Sequence, residues 1–498
     1  MGSMHCGAAT PADIRLPGRG AGRPARAAAC AAAGNRLETQ HLIYGLVLLL
    51  ITALIVTAFY VNHPRPEVDP DTPSYLAAAR NILAHGQLTD PMRLPGYPLL
   101  IAAVFLLAGR DNVAAVSMVQ GALFVLVTLE VYALAWLVFR RTRVAFTVGL
   151  LVGANMYLLS SFKYLMSEAL ATWLVTTLAL VTVLCVRRMQ RRYLWALAAL
   201  LLALFMTRPE WIYAPVPLMA YLLLIAARRR RFVRLLPHAL LAVAMLYLVL
   251  GLYVYENGRQ TGFAGLTQVQ SVNLLGKVMQ YHMQTEAPAR YATEARIVNA
   301  YMTAPGYRPV EAWASEPWIV AGRDPLARNH YALTKAYAVA IIMHHPVAFL
   351  LHSTCLAVVT LPDHDLFMVS ARNRLFGLPL AFERDGPFAI PLALLQACAG
   401  AEYGVYLLFP ICVVVWGLML IRPGTGSRHA AEVMGVLVLL ALYDIVLVAL
   451  GGYSSYGRLH APVLPLLTAV VWGSILVGGM YVVPGRRRAA LDARPDPM

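Results

Sequence analysis

Two short stretches decide how this chain reads: Val68-Asp69-Pro70-Asp71-Thr72-Pro73-Ser74-Tyr75 and, a little further on, Arg93-Leu94-Pro95-Gly96-Tyr97-Pro98. They form a polar, proline-punctuated island between long apolar runs. Pro70 and Pro73 fix their own φ and stiffen the entry. Asp71 and Tyr75, four residues apart, fall on one face of a short helix. The pattern is a stiffly held carboxylate beside a membrane surface, with a cation close behind it in sequence. Asp71 ahead of Thr72-Pro73-Ser74 is equally a good helix N-cap. One residue therefore carries a structural and a chemical reading at once.

The composition around this island excludes an ordinary soluble enzyme. Of 498 residues, 59% are hydrophobic and 13% charged, and the mean hydropathy is +0.62; several runs approach the ~20 apolar residues that cross a bilayer. The net charge of +16 does not point to nucleic acid. It is gathered in short loops such as Arg140-Arg141-Thr142-Arg143, Arg228-Arg229-Arg230-Arg231 and Arg486-Arg487-Arg488, the distribution that orients a chain in a membrane. The six cysteines (Cys6, Cys30, Cys185, Cys355, Cys398, Cys412) lack metal or redox spacing. Sequence leaves open whether Cys355 and Cys398 pair.

Residues 1–36, rich in Ala, Gly and Arg, read as a disordered basic cytoplasmic tail, followed by a retained signal-anchor. Arg15, Arg19, Arg23, Arg26 and Arg36 precede the first span at 41–61, which sets the N-terminus inside and the loop 62–112 outside. The apolar run 96–109 is too short to cross and reads as a helix on or in the outer interface. Further spans follow at 113–139, 144–160, 170–186, 193–206, 211–227 and 235–255, completing an N-terminal transmembrane module over 37–255. Residues 256–388 form an extracytoplasmic loop and helical region, with a helix over 324–344 and an interfacial or re-entrant piece at 347–361. C-terminal transmembrane helices occupy 389–485 and a cytoplasmic tail 486–498. The expectation is an all-α polytopic membrane protein of about ten transmembrane helices.

This orientation places Asp71, Arg93, Lys163, Glu168, Arg208, Glu210, Arg458 and His460 at the outer face, where ionisable groups at membrane depth mark a site. Each also has a plainer reading. Lys163 and Glu210 are interfacial anchors, Arg93 and Arg208 can anchor at headgroups, and Glu168 is an acid in the first turn of a helix. His460 is structural. Glu130 and Asp444, within spans, are expected to bond between helices. Asp69 with Asp71 offers a divalent metal as an alternative, although no cofactor is required.

Asp71 to Tyr75 as D-x-x-x-Y, then Arg93 to Pro98 as R-x-P-x-Y-P, resembles the first outer loop of integral-membrane glycosyltransferases of the C-type fold. That superfamily includes protein O-mannosyltransferases, aminoarabinose transferases of lipid A and lipopolysaccharide-core transferases. The likeness covers roughly residues 40–270 and 430–485. It implies the C-type glycosyltransferase fold in a bacterial inner membrane, with an active site on the extracytoplasmic side. It also implies an inverting transfer of a sugar from a polyprenyl-phosphate donor to a glycolipid, polysaccharide or protein acceptor. Asp71 is then the general base and Glu168 the second catalytic acid residue, with Arg93, Arg208 and Arg458 on the donor phosphate. Tyr75, Tyr97 and Lys163 lend support. Thr72-Pro73 and Gly96-Tyr97 depart from the commoner family residues. A transporter or lipid flippase, or a catalytically silent relative, is the alternative; a transporter calls for paired broken helices with mid-membrane charges.

Overall fold

The computed structural model describes residues 23–68, 71–304, 330–362, 387–421, 428–453 and 456–482. Asp69, the start of the helix expected from 324 and the 486–488 arginines lie outside the described residues. Long uninterrupted runs of Leu, Val and Ala leave the backbone one way to satisfy its hydrogen bonds in hydrocarbon, and that is helix. In chain order the helices are α1 (Arg23–Asn62), α2 (Thr72–His85), α3 (Gly96–Ala108), α4 (Val113–Phe139), α5 (Thr142–Gly153) and α6 (Met156–Lys163). Then come α7 (Glu168–Arg188), α8 (Arg191–Phe205), α9 (Pro215–Arg228), α10 (Phe232–Thr261), α11 (Val269–Gln280) and α12 (Ala292–Thr303). The last are α13 (His330–His344), α14 (Pro346–Val359), α15 (Ala389–Val405), α16 (Phe409–Ile421), α17 (Arg428–Gly451), α18 (Tyr456–His460) and α19 (Leu464–Val482).

Among the described residues, eight helices are long and apolar enough to cross a membrane, or up to ten if two bent pairs each count as one span. The chain is an all-α polytopic membrane protein. One bent pair is α5 with α6, broken by 51° after Gly153, and the other is α13 with α14, turned by 97° at Pro346. Pro346 lacks the N–H that would continue the helix. One sequence expectation changes. Helix α1 begins at Arg23, inside the stretch expected to be a disordered tail, because its alanines are the strongest helix formers. The crossing expected at 193–206 is α8, of only 15 residues, which nonetheless carries the chain back from Arg188 at the end of α7 to Arg208, 3.7 Å from Glu168 at the start of α7. The pair α13 and α14, expected as an extracytoplasmic helix and an interfacial or re-entrant piece, is apolar enough to cross if its two halves are one span. Helix α3 stays short, at 13 residues. Cys355 and Cys398 are both exposed free thiols.

The main core runs through α1, α4, α5, α7, α8, α9, α17 and α19 and is built of residues such as Leu48, Phe124, Val175, Leu201, Val436 and Leu467. A second, smaller core gathers α11 to α14 around Val272, Leu275, Val298, Tyr337, Ile341 and Phe349. It falls within the 256–388 region.

One close approach fixes the site's geometry. The Gly96 N–H donates to the Met206 carbonyl at 2.5 Å. A Cβ on Gly96 would overlap Thr207 Oγ1 and sit 2.6 Å from the Met206 oxygen. Only glycine lets the start of α3 touch the end of α8. Gly96→Ala is expected to destabilise the protein by about 1–3 kcal/mol through overpacking. A thermal unfolding midpoint in detergent equal to that of the parent protein would refute this.

Candidate active site

Asp71 occupies the N-cap position of α2, yet its carboxylate makes no capping hydrogen bond. The side chain turns to the cations instead. Arg93 Nη2 lies 2.6 Å from Asp71 Oδ1, and Arg458 Nη2 lies 3.9 Å from Asp71 Oδ2. Arg93 is itself oriented by donating from Nε to Ser74 Oγ at 2.7 Å and by stacking 4.4 Å from the centre of the Tyr75 ring. Its loop is pinned from below and from the side. Asp90 accepts the Met92 and Arg93 N–H groups, each at 2.8 Å. From the start of α11, Thr267 donates to the Met92 carbonyl, and the Gln268 N–H to that of Pro91.

The second carboxylate, Glu168, opens α7. Ser167 at its N-cap makes no side-chain cap bond. A carboxylate in the first helical turn is favoured by the helix dipole, but here it also bridges two cations. Arg458 Nε lies 3.3 Å and Arg208 Nη2 3.7 Å from Glu168 Oε1. Arg208 in turn holds Glu210 at 2.7 Å. Burial works against the Arg208 charge, but Glu210, then Glu168 and Asp444, outweigh it and raise its pKa. Glu168 Oε2 and Arg208 Nη1 are buried without a hydrogen-bond partner, so polar capacity remains at the centre of the network.

Five chain segments thus meet. They are the turn into α2, the loop before α3, the start of α7, the turn after α8 and the start of α18. The short parallel bridge between Glu67 and Tyr164, with Thr72 Oγ1 donating to the Leu165 carbonyl at 3.2 Å, ties the first to the α6–α7 connection. Tyr75 joins them, donating its hydroxyl to Ser167 Oγ at 3.3 Å.

Of the sequence candidates, Asp71, Arg93, Glu168, Arg208, Arg458 and Tyr75 come together. Tyr97 stands one layer behind, its ring 5.1 Å from that of Tyr75 and its hydroxyl donating to Gln120. Lys163 is not at the network. It is buried, with Nζ 3.8 Å from the centre of the Tyr60 ring, so it is no exposed interfacial anchor. Glu210, expected to be an anchor, is instead the closest carboxylate partner of Arg208. His460 pairs with the buried Asp444 at 3.2 Å and reaches Thr360. Glu130 accepts from Thr177, joining α4 to α7. Ser74, Ser167 and Gln120 escaped the sequence reading, since a lone hydroxyl or amide in or near an apolar run carries no periodic signal. At the opposite end of α17, Glu432 holds Arg229.

Taken together, these features describe a multi-pass helical membrane protein with a buried network of carboxylates and guanidinium groups at one end of its bundle. No protein-family profile matches the chain, and comparison with curated proteins gives no match. Among solved structures, the chain is similar to the archaeal oligosaccharyltransferase AglB from Archaeoglobus fulgidus, in complex with an inhibitory peptide and a dolichol-phosphate. That likeness has 14% identity, a TM-score of 0.46, and covers 90% of this chain and 52% of AglB. The chain therefore spans about half the length of that protein. It is also similar to ArnT from Cupriavidus metallidurans bound to undecaprenyl phosphate, at 17% identity and a TM-score of 0.36, covering 83% of this chain and 78% of ArnT.

Proposed function

We propose that this protein is a membrane glycosyltransferase of the C-type fold that moves a sugar from a polyprenyl-phosphate donor to an extracytoplasmic acceptor. The observation that carries this reading is the Asp71 carboxylate lying against both Arg93 and Arg458, within a buried network that Glu168 extends to Arg208. A lipid phosphate needs cations at its oxygens and an acceptor hydroxyl needs a base; both are present within one cluster.

In the proposed reaction the acceptor oxygen attacks the anomeric carbon. The bond from that carbon to the phosphate oxygen breaks, and its electron pair leaves with the phosphate. Asp71 takes the acceptor proton. A single displacement inverts the anomeric centre. Arg93 and Arg458 are shared between Asp71 and the arriving phosphate, so phosphate binding draws them away and leaves an Asp71 oxygen to accept the proton. Glu168 and Glu210 keep Arg208 and Arg458 in place and charged. Sequence reasoning gave Glu168 a catalytic part; in this mechanism it orients the cations. A shallow depression beside Arg93 is lined also by Asn81, Gln87, Thr89 and Asp90, polar groups that suit substrate hydroxyls. The active site is expected on the extracytoplasmic side, by the arginine distribution, and in a bacterial plasma membrane, by the family resemblance.

The test is transfer by purified protein in nanodiscs, supplied with undecaprenyl-phosphate sugars and followed by mass spectrometry of the released lipid phosphate. Arg93→Ala removes one charge-assisted hydrogen bond to the phosphate, so the donor KM is expected to rise about tenfold to a hundredfold. Arg93 is buried against Ser74, Asp71 and Tyr75, so the unfolding midpoint should fall as well, and the KM is read on protein shown to be folded. An unchanged donor KM would remove Arg93 from the phosphate site, and lipid flux without sugar transfer would favour the flippase reading.

A further inference from the structure

Arg458 sits on α18, a helix too short to hold itself in place. Two residues earlier, Tyr456 makes the contacts that do so. Its hydroxyl accepts from Lys277 Nζ at 3.0 Å and donates to Gln280 Oε1 at 2.6 Å, and Nζ also lies 4.6 Å from the centre of the Tyr456 ring. Lys277 is completely buried, and among the described residues no carboxylate pairs with it. Burial pushes its pKa down to about 7. That burial is offset by the Tyr456 hydroxyl and by the Tyr456 and Tyr281 rings around Nζ.

Helix α11 also packs against Tyr453. Gly276 lies flat against the Tyr453 ring, where a Cβ would collide with the ring carbons. Gly276, Lys277 and Gln280 thus set α11 against Tyr453 and Tyr456, both just ahead of Arg458 in sequence. The remainder of α11 contributes Val272, Leu275, Val278 and Met279 to the second core.

We propose that Lys277 and Gln280 are positioning residues: through Tyr456 they hold α18 so that Arg458 meets Asp71 and Glu168, and they couple the second core to the anion site. The consequence for phosphate binding rests on the function proposed above; the positioning itself does not.

Two measurements on the full chain in nanodiscs separate these. In a background lacking the native cysteines, Arg458→Cys reports the exposure of that position to a methanethiosulfonate reagent. Lys277→Met and Tyr456→Phe are each expected to speed labelling about tenfold, the size of one lost hydrogen bond to a charged group. Lys277→Arg, which keeps a donor, should restore the slow rate. Unchanged labelling in both variants overturns the proposal. Tyr456→Phe deletes a single oxygen and carries the comparison if Lys277→Met does not fold. The second measurement is affinity for undecaprenyl phosphate. Lys277→Met should weaken it about tenfold when Arg458 is present and change nothing in an Arg458→Gln background. Equal weakening in both backgrounds would mean that Lys277 acts on the fold at large and overturns positioning through Arg458. If the parent protein binds no undecaprenyl phosphate, the phosphate reading fails while the labelling rates still decide the positioning role.

Discussion

Asp71→Asn is expected to reduce sugar transfer by about 10² to 10⁴-fold, the contribution of a positioned general base, while leaving the protein folded. Asparagine keeps the shape of the side chain and a carbonyl oxygen facing Arg93, but it has no basicity to take the acceptor proton. Fold stability should change little. The Asp71 side chain is 32% exposed, its capping position is not used by the carboxylate, and partly exposed ion pairs contribute at most about 1 kcal/mol. Initial rates at saturating donor and acceptor, with an unfolding midpoint measured on the same preparation, give the answer. Turnover equal to that of the parent would take Asp71 out of the chemistry altogether.

Glu168→Gln should have the opposite signature. Its side chain is 2% exposed and stands between Arg208 and Arg458. Removing the charge strands two guanidinium groups, one of them almost equally buried, beside a neutral amide. Breaking a buried ion pair in this way costs about 3–5 kcal/mol, partly relieved for Arg208 by Glu210 at 2.7 Å. A marked fall in the unfolding midpoint and in the yield extracted from membranes is therefore expected, together with weaker donor binding. A variant as stable as the parent would show that the network does not depend on Glu168. Asp71→Asn and Glu168→Gln together distinguish a residue that reacts from one that holds the reacting groups.

The helical, membrane-spanning character was legible because hydrocarbon imposes a simple rule on composition and run length. The island around Asp71 was legible because it broke that rule. What the sequence left undecided was whether Asp71 caps a helix or does chemistry, since one residue type in one position serves both. The decision lies in where the side chain turns, and that depends on Arg93 and Arg458, the latter almost the whole chain away. For the same reason the bridging of Arg208 and Arg458 by Glu168 had no sequence signature. Glu210 and Lys163 looked alike as charged residues near span ends; one joins the network and the other is buried under Tyr60. Lys277 carried no signal either, lying in a region without recognisable motifs.

The ion pairs joining Asp71, Arg93, Glu168, Arg208, Glu210 and Arg458 balance three negative groups against three positive ones. Such a balanced cluster casts almost no field beyond its immediate neighbours, so it cannot draw an anion in from a distance as a basic cleft does. Under the proposed function, a donor lipid headgroup reaches it by sliding within the leaflet, carried by its tail, and feels the cations only on arrival.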